Sequence, residues 1–190
     1  TDRGLSSLDY AVYRPMAGAG ARGMLHAAFG MTEAHPDYEA YKNEFLDNYQ
    51  RAMTVKTTVF DGVTPMLERL KQSNIAWGVV TNKHQRFTLP LSQQMALFNT
   101  AGAVVSGDTT PHAKPHPAPL YEAARRISVE PARCIYVGDD ERDIQAGHAA
   151  GMGTVAALYG YLGANHDARR WGAHAHIKAP AHLLRLLQSR

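Results

Sequence analysis

The sequence predicts an α/β protein, a Rossmann-like parallel sheet flanked by helices, with a small helical domain before it. Three observations lead there. Four short apolar runs, 75–80, 103–106, 134–137 and 154–157, are bounded by turn residues, the mark of strands buried on both faces. Helix-patterned segments lie between them, and strands alternating with helices build parallel sheets. The first 60 residues contain no such run, so the reading places a helical domain over 1–60 and the α/β core over 61–190. At 190 residues the chain has room for one core and a small lobe.

Taken in order, Ala21 to Phe29 reads as a helix that stops at Gly30, a usual C-terminal signal. Pro36-Asp37 opens a stretch from Tyr38 to Thr54 without Gly or Pro. There Tyr41, Phe45, Tyr49 and Met53 recur every fourth residue, one face of an amphipathic helix. Pro65 to Gln72 is a third helix, with Pro in its first turn. Further helices are read over 84–97, 118–127 and 142–150, and Ala175-His176-Ile177 is a weaker fifth strand.

Composition excludes several classes. Hydrophobic residues make up 45% and charged residues 19%, which argues against long disorder. No apolar stretch approaches the roughly 18 residues needed to span a bilayer. No charged stub with an apolar run opens the chain, so no secretory leader is expected. One cysteine, Cys134, can form no internal disulfide and starts a buried strand, which suits packing in a reducing compartment. The expected location is the cytoplasm. Net charge is +3, without any block of five or six basic residues. Nucleic-acid binders cluster such residues. The mild cationic bias fits a small anionic substrate instead, and the expected state is a monomer or homodimer without nucleic-acid or membrane partners.

In open α/β sheets chemistry gathers at the carboxyl ends of the strands. The run ending at Val80 delivers Thr81-Asn82-Lys83, and the segment after Ser106 holds Lys114 between prolines. The run ending at Val137 delivers Gly138-Asp139-Asp140-Glu141-Arg142-Asp143. A hydroxyl, turn N–H groups and an ammonium supply donors and positive charge to phosphoryl oxygens. The carboxylates suit Mg²⁺, a hard cation that needs only one or two protein oxygens beside phosphate and water. Each piece alone has a plainer reading: Thr81 as a cap, Lys114 as a surface charge, Asp139 and Asp143 as favourable charge on a helix N-terminus.

Three stretches together, Val79-Val80-Thr81-Asn82-Lys83, Lys114-Pro115-His116-Pro117 and Tyr136 to Ile144, resemble motifs two, three and four of the haloacid dehalogenase (HAD) superfamily. The phosphoglycolate phosphatases with a helical cap are the most similar group. The resemblance implies a HAD-type core and Mg²⁺-dependent hydrolysis of a small phosphorylated metabolite, with 2-phosphoglycolate foremost. It implies an aspartyl-phosphate intermediate, Thr81 and Asn82 at the phosphoryl group, and Lys114 stabilising charge. Asp139 is expected on Mg²⁺ with Asp143 supporting it, and Asp140 either reaches the metal through water or caps the helix. Arg22, in a cap loop, is a candidate for a substrate carboxylate, since Arg grips carboxylates with two hydrogen bonds. The reading requires Thr81, Lys114 and Asp139 to converge.

One departure matters. The family's first motif, an apolar strand ending in Asp-x-Asp, occurs nowhere in the sequence. Phe60-Asp61-Gly62-Val63 lacks the first carboxylate and a preceding buried run, and reads as a hinge. The expectation is that the first core strand and the nucleophile lie outside these 190 residues, and that the 190 residues alone do not turn over substrate. A non-catalytic phosphate-binding relative is the alternative. Within the superfamily, a sugar-phosphate mutase competes, and dehalogenation less so. A dinucleotide-binding oxidoreductase is a further rival, because Gly18-Ala19-Gly20-Ala21-Arg22-Gly23 matches Gly-x-Gly-x-x-Gly, although no buried strand precedes it. His112 and His116 bracket Lys114, but prolines deny them a helix face and no Cys or Glu completes a zinc set.

Overall fold

A computed structural model of the chain describes residues 6, 8–163 and 167–188. The chain divides into two units, Thr1–Val55 with Tyr161–His166, and Lys56–Gly160 with Asp167–Arg190. The division falls a few residues before position 60, and the stretch from Tyr161 joins the helical unit.

In the helical unit, Asp9 caps the short α1 (Tyr10–Tyr13), accepting from Ala11 N at 2.7 Å. A 3-10 turn over Arg14–Ala19 leads directly into α2 (Gly20–Phe29). Gly30 ends α2 with φ 64°, and its N–H returns to His26 O at 2.8 Å, a closure that glycine makes without strain. In α3 (Tyr38–Ala52) the fourfold aromatic spacing does core work. Leu25, Met31 and Tyr38 are buried together, with Tyr41 and Phe45 against them. Phe29 meets Tyr41 edge-on at 5.3 Å between ring centroids. Residues 18–23 lie in the 3-10 turn and the first turn of α2, behind a helix rather than a strand, so the dinucleotide geometry is not built.

In the second unit, Gly62, with φ of 82°, precedes the first helix, α4 (Val63–Gln72). Strand β1 (Gly78–Val80) pairs in parallel with β2 (Ala103–Val105), Val80 opposite Val105. Strands β3 (Ile135–Gly138), β4 (Gly153–Ala157) and β5 (Ala175–Ile177) form a second parallel set in that order. The five strands read from the sequence are all present, but in two sheets, because β1 and β3 do not pair with each other. Helix α5 (Gln85–Gln94) lies between β1 and β2, α6 (Ala118–Arg126) between β2 and β3, and α7 (Glu141–Ala149) between β3 and β4. Helix α5 is shorter than the expected 84–97. It contains Pro90, which removes a backbone donor, and it gives way to a 3-10 turn over Ala96–Thr100.

Alternation along β3 separates two cores. Ile135 and Val137 pack with Val155, Ala157, Ile177 and Leu183, while Tyr136 packs with Leu120, Ala124, Ala146, Ala150 and Met152. Period-2 side-chain geometry produces this division. Leu183, Leu186 and Leu187 belong to α8 (Ala181–Gln188), a helix absent from the sequence reading, which joins Met66 of α4 on the first face. Each layer of helix therefore covers one face of the strands, and the strand ends remain for chemistry.

Candidate active site

Thr81 continues the β1 ladder, its N–H donating to Val105 O at 2.9 Å, and its hydroxyl accepts from Lys83 N at 3.1 Å. The turn after β1 is thus closed by its own threonine. Asn82 does something the sequence did not suggest. Its amide donates to Lys114 O and its carbonyl accepts from Lys114 N, both at 2.9 Å. The side chain placed at the substrate by resemblance is spent on clamping the backbone of the Lys114 loop.

That clamp aims the ammonium. Lys114 Nζ donates to Val80 O at 3.1 Å, Tyr136 Oη at 2.8 Å and Asp143 Oδ1 at 2.6 Å. An ammonium has three N–H groups, and each finds an acceptor here. The Lys114 and Asp143 side chains are 9% and 8% exposed, so this is a buried ion pair. A buried pair contributes little over an apolar replacement, but removing one partner strands the other charge. Val80 O also accepts from Tyr136 Oη at 3.1 Å, so side chains satisfy a β1 carbonyl that no neighbouring strand reaches.

Asp143 is saturated as well. Its Oδ2 accepts from the N–H groups of Asp139 and Asp140, both at 3.2 Å, while Oδ1 takes Lys114. Both oxygens of Asp143, expected beside the metal, are thus engaged in holding the turn and the ammonium in place. Asp140 resolves as the helix cap. Its carboxylate accepts from Arg142 N at 2.9 Å and pairs with the Arg142 side chain at 2.7 Å. The Arg142 hydrogen bond holds its carboxyl below the ordinary aspartate value. Asp139 follows Gly138, the last residue of β3. Its carboxylate lies against Gly160, where a Cβ would overlap it. Burial, followed by the Asp139 charge, raises the phenol pKa of neighbouring Tyr159. A glycine cradle for one acidic side chain fits Mg²⁺ held by a single protein carboxylate, phosphate oxygens and water. No group of three or more candidate ligands occurs among the described residues, so a full protein cage is not built.

Glycines shape this region throughout. A Cβ on Gly138 would overlap Asp143, and one on Gly107 would overlap the Asn82 backbone. Tyr136 was missed by sequence reasoning. Burial raises its pKa well above the ordinary phenol value, and the Asp143 charge pushes the same way. The signal that could have found it is a hydroxyl-bearing aromatic in an otherwise aliphatic buried strand.

Other candidates fall elsewhere. His112 and His116 face each other at 4.5 Å between ring centroids, and His116 Nδ1 accepts from Ala118 N, a loop-closing contact. Asp61 is an exposed turn residue before α4. Arg22 stands on α2 of the helical unit.

A family model described as haloacid dehalogenase-like hydrolase matches residues 7–157. The N-acetylmuramic acid 6-phosphate phosphatase of Pseudomonas putida is 36% identical over 99% of this chain and 84% of that protein. A phosphoglycolate phosphatase of Xanthomonas campestris is 41% identical over 96% of this chain and 82% of that protein. Among solved structures, a predicted phosphoglycolate phosphatase from Haemophilus somnus superimposes with a TM-score of 0.83 at 25% identity, covering 98% of this chain and 86% of that one.

Proposed function

The chain belongs to the haloacid dehalogenase-like hydrolases and is a phosphoric monoester hydrolase, and from that premise we propose that it hydrolyses, with Mg²⁺, a small phosphomonoester whose alcohol carries a carboxylate. Two esters answer the description. One is 2-phosphoglycolate, the candidate named from the sequence. The other is N-acetylmuramic acid 6-phosphate, the substrate in the name of a relative that spans 99% of the chain, as the phosphoglycolate phosphatase relative spans 96%. The observation that carries the reading is the Lys114 ammonium, buried and fixed by Asp143, beside Asp139 at the strand ends.

In this reading Thr81 offers its hydroxyl to the phosphoryl oxygens, and Lys114 supplies positive charge. Asp139 would hold Mg²⁺, which when bound neutralises charge on those oxygens. Asn82 and Asp143 keep the ammonium and the 139–140 backbone in position. The carboxylate that attacks phosphorus and carries the aspartyl-phosphate is assigned to residues outside these 190. Supporting this, β1 and β3 each keep one edge without a strand partner among the described residues. The helical unit serves as the cap that chooses the leaving group. The protein is expected to work in the cytoplasm as a monomer or homodimer on a soluble metabolite. No helix among the described residues is long and apolar enough to cross a membrane.

Phosphate release from both esters, with and without a chelator, tests the reading. Lys114→Ala and Asp139→Asn should each lower kcat/KM by about 10²–10³-fold, the scale set by losing one preorganised charge-stabilising group. The 190 residues alone should not turn over, whereas a form extended upstream should. Phosphate binding without turnover in the extended form would favour the non-catalytic relative.

A further inference from the structure

The loop after β1 carries Thr81 and Asn82, and the loop after β2 fastens it from one side. Gly107 N donates to Lys83 O at 2.9 Å, and a Cβ on Gly107 would overlap the Asn82 backbone. The two loops therefore meet backbone to backbone. One residue further on, Asp108 spends both carboxylate oxygens on the same loop. Its Oδ1 accepts from Gln85 N at 2.7 Å, and its Oδ2 pairs with His84 Nε2 at 2.9 Å. His84 Nδ1 accepts from Arg86 N at 3.2 Å, so the ring proton sits on Nε2 and is donated to Asp108. Thr88, buried on α5, closes the back of the loop, its hydroxyl shared between Lys83 O at 3.1 Å and His84 O at 3.2 Å.

Through Lys83 this fastening reaches the phosphate centre. Lys83 N–H donates to Thr81 Oγ1 at 3.1 Å. A hydroxyl has two lone pairs and one hydrogen to give. Lys83 N takes a lone pair, and Thr81 Oγ1 makes no other hydrogen bond among the described residues. Its hydrogen is left to be donated, which is what a phosphoryl oxygen requires. Asn82, the residue between them, holds the Lys114 backbone from the same loop. The hydroxyl and the ammonium thus depend on one short stretch, and Asp108 is the side chain that pins its far end.

We infer that Asp108 is a positioning residue of the hydrolysis: with His84 it holds residues 83–85 where the Thr81 hydroxyl is aimed at the phosphoryl oxygens. The inference rests on the phosphatase reading above, and every group in it belongs to the α/β unit. Folding and rate should respond differently to its loss. The His84 and Asp108 side chains are 63% and 34% exposed, and so exposed a pair contributes little to stability. A misplacement of about 1 Å in a reacting geometry, by contrast, can cost on the order of 10²-fold in rate.

Kinetics of the form extended upstream, on the two esters named above, test this. Asp108→Ala should lower kcat by about tenfold or more while KM moves by no more than about threefold and the urea midpoint stays near wild type. Asp108→Asn keeps an acceptor for Gln85 N and should recover part of the loss. In a Thr81→Ala background, Asp108→Ala should lose most of its effect, because its route to the phosphoryl group is gone. A plain cap on α5 would instead lower the urea midpoint and leave kcat unchanged. That result, or effects of the two substitutions that add in full, overturns the inference and leaves the phosphatase reading standing. Amide exchange in the same protein gives a reading without turnover. Asp108→Ala should speed exchange at Lys83 by about tenfold or more with the β3 and β4 amides unchanged, and unchanged exchange at Lys83 overturns the inference. If Asp108→Ala does not fold, Asp108→Asn carries both measurements with smaller shifts in the same direction. If wild type hydrolyses neither ester, the phosphatase reading fails, and exchange at Lys83 still decides whether Asp108 holds the loop.

Discussion

The two units spend their polar groups in opposite ways. At the strand ends of the α/β unit, three protein acceptors take the Lys114 ammonium, the Asp143 oxygens accept from Lys114, Tyr136 and the 139 and 140 N–H groups, and both ends of the Asn82 amide are engaged. In the helical unit, the Arg22, His26 and Glu33 side chains line a cavity and make no hydrogen bond or ion pair among the described residues. The first arrangement fixes charges where a reaction needs them, since preorganised groups do not have to be rearranged as charge develops. The second leaves its charges to be satisfied by something that arrives.

The sharpest way to break this contrast is to remove one partner on each side. Asp143→Ala leaves the Lys114 ammonium buried without its counter-charge and should cost about 3–5 kcal/mol. Arg22→Ala, at an exposed and unpartnered site, should stay within about 0.5 kcal/mol. Urea unfolding of both variants compares them directly, and equal losses would erase the distinction. A gentler probe is Tyr136→Phe, which deletes one acceptor of the ammonium while Val80 O and Asp143 remain. It should cost about 1–3 kcal/mol, the scale of one unsatisfied buried group, and should lower kcat more than it raises KM.

The smallest effect belongs to the surface of the same unit. Glu122 accepts from Arg125 and Arg126, which lower its pKa from 4.5 to about 2. Its folded value lies below its unfolded one. The pair therefore stabilises the protein fully above pH 4.5 and loses that contribution as pH falls through 2. Glu122→Gln should be slightly less stable at neutral pH, and urea midpoints across the acid range should show the gap closing below pH 4.5. A gap that persists at pH 2 would mean the pairing is not its source.

Much of the α/β unit is legible in the sequence, because a buried parallel strand is a local pattern. Ala103–Val105, Ile135–Gly138 and Gly153–Ala157 lie within a residue or so of their apolar runs. Lys114 and Asp139 could be picked out since both follow such runs. What stayed hidden depends on partners far along the chain. Asn82 reads as a substrate donor until the Lys114 backbone is found against it. Tyr136 reads as core filling until its hydroxyl meets Nζ. The separation of β1 from β3 is invisible because neither strand's own residues say which neighbour it will find. Helix α8 escaped for a simpler reason: eight residues after Pro180 offer barely two turns of periodicity.

Gly107, Gly138 and Gly160 amount to a negative mould of the centre: what they lack defines its contours as firmly as any functional group. Drift elsewhere on the surface should pass unnoticed, whereas even a methyl at these positions would push on Asn82, Asp143 or Asp139. Wherever a cognate sequence carries a bulkier residue at one of them, the matching acid or turn should be found recast, and the chemistry with it.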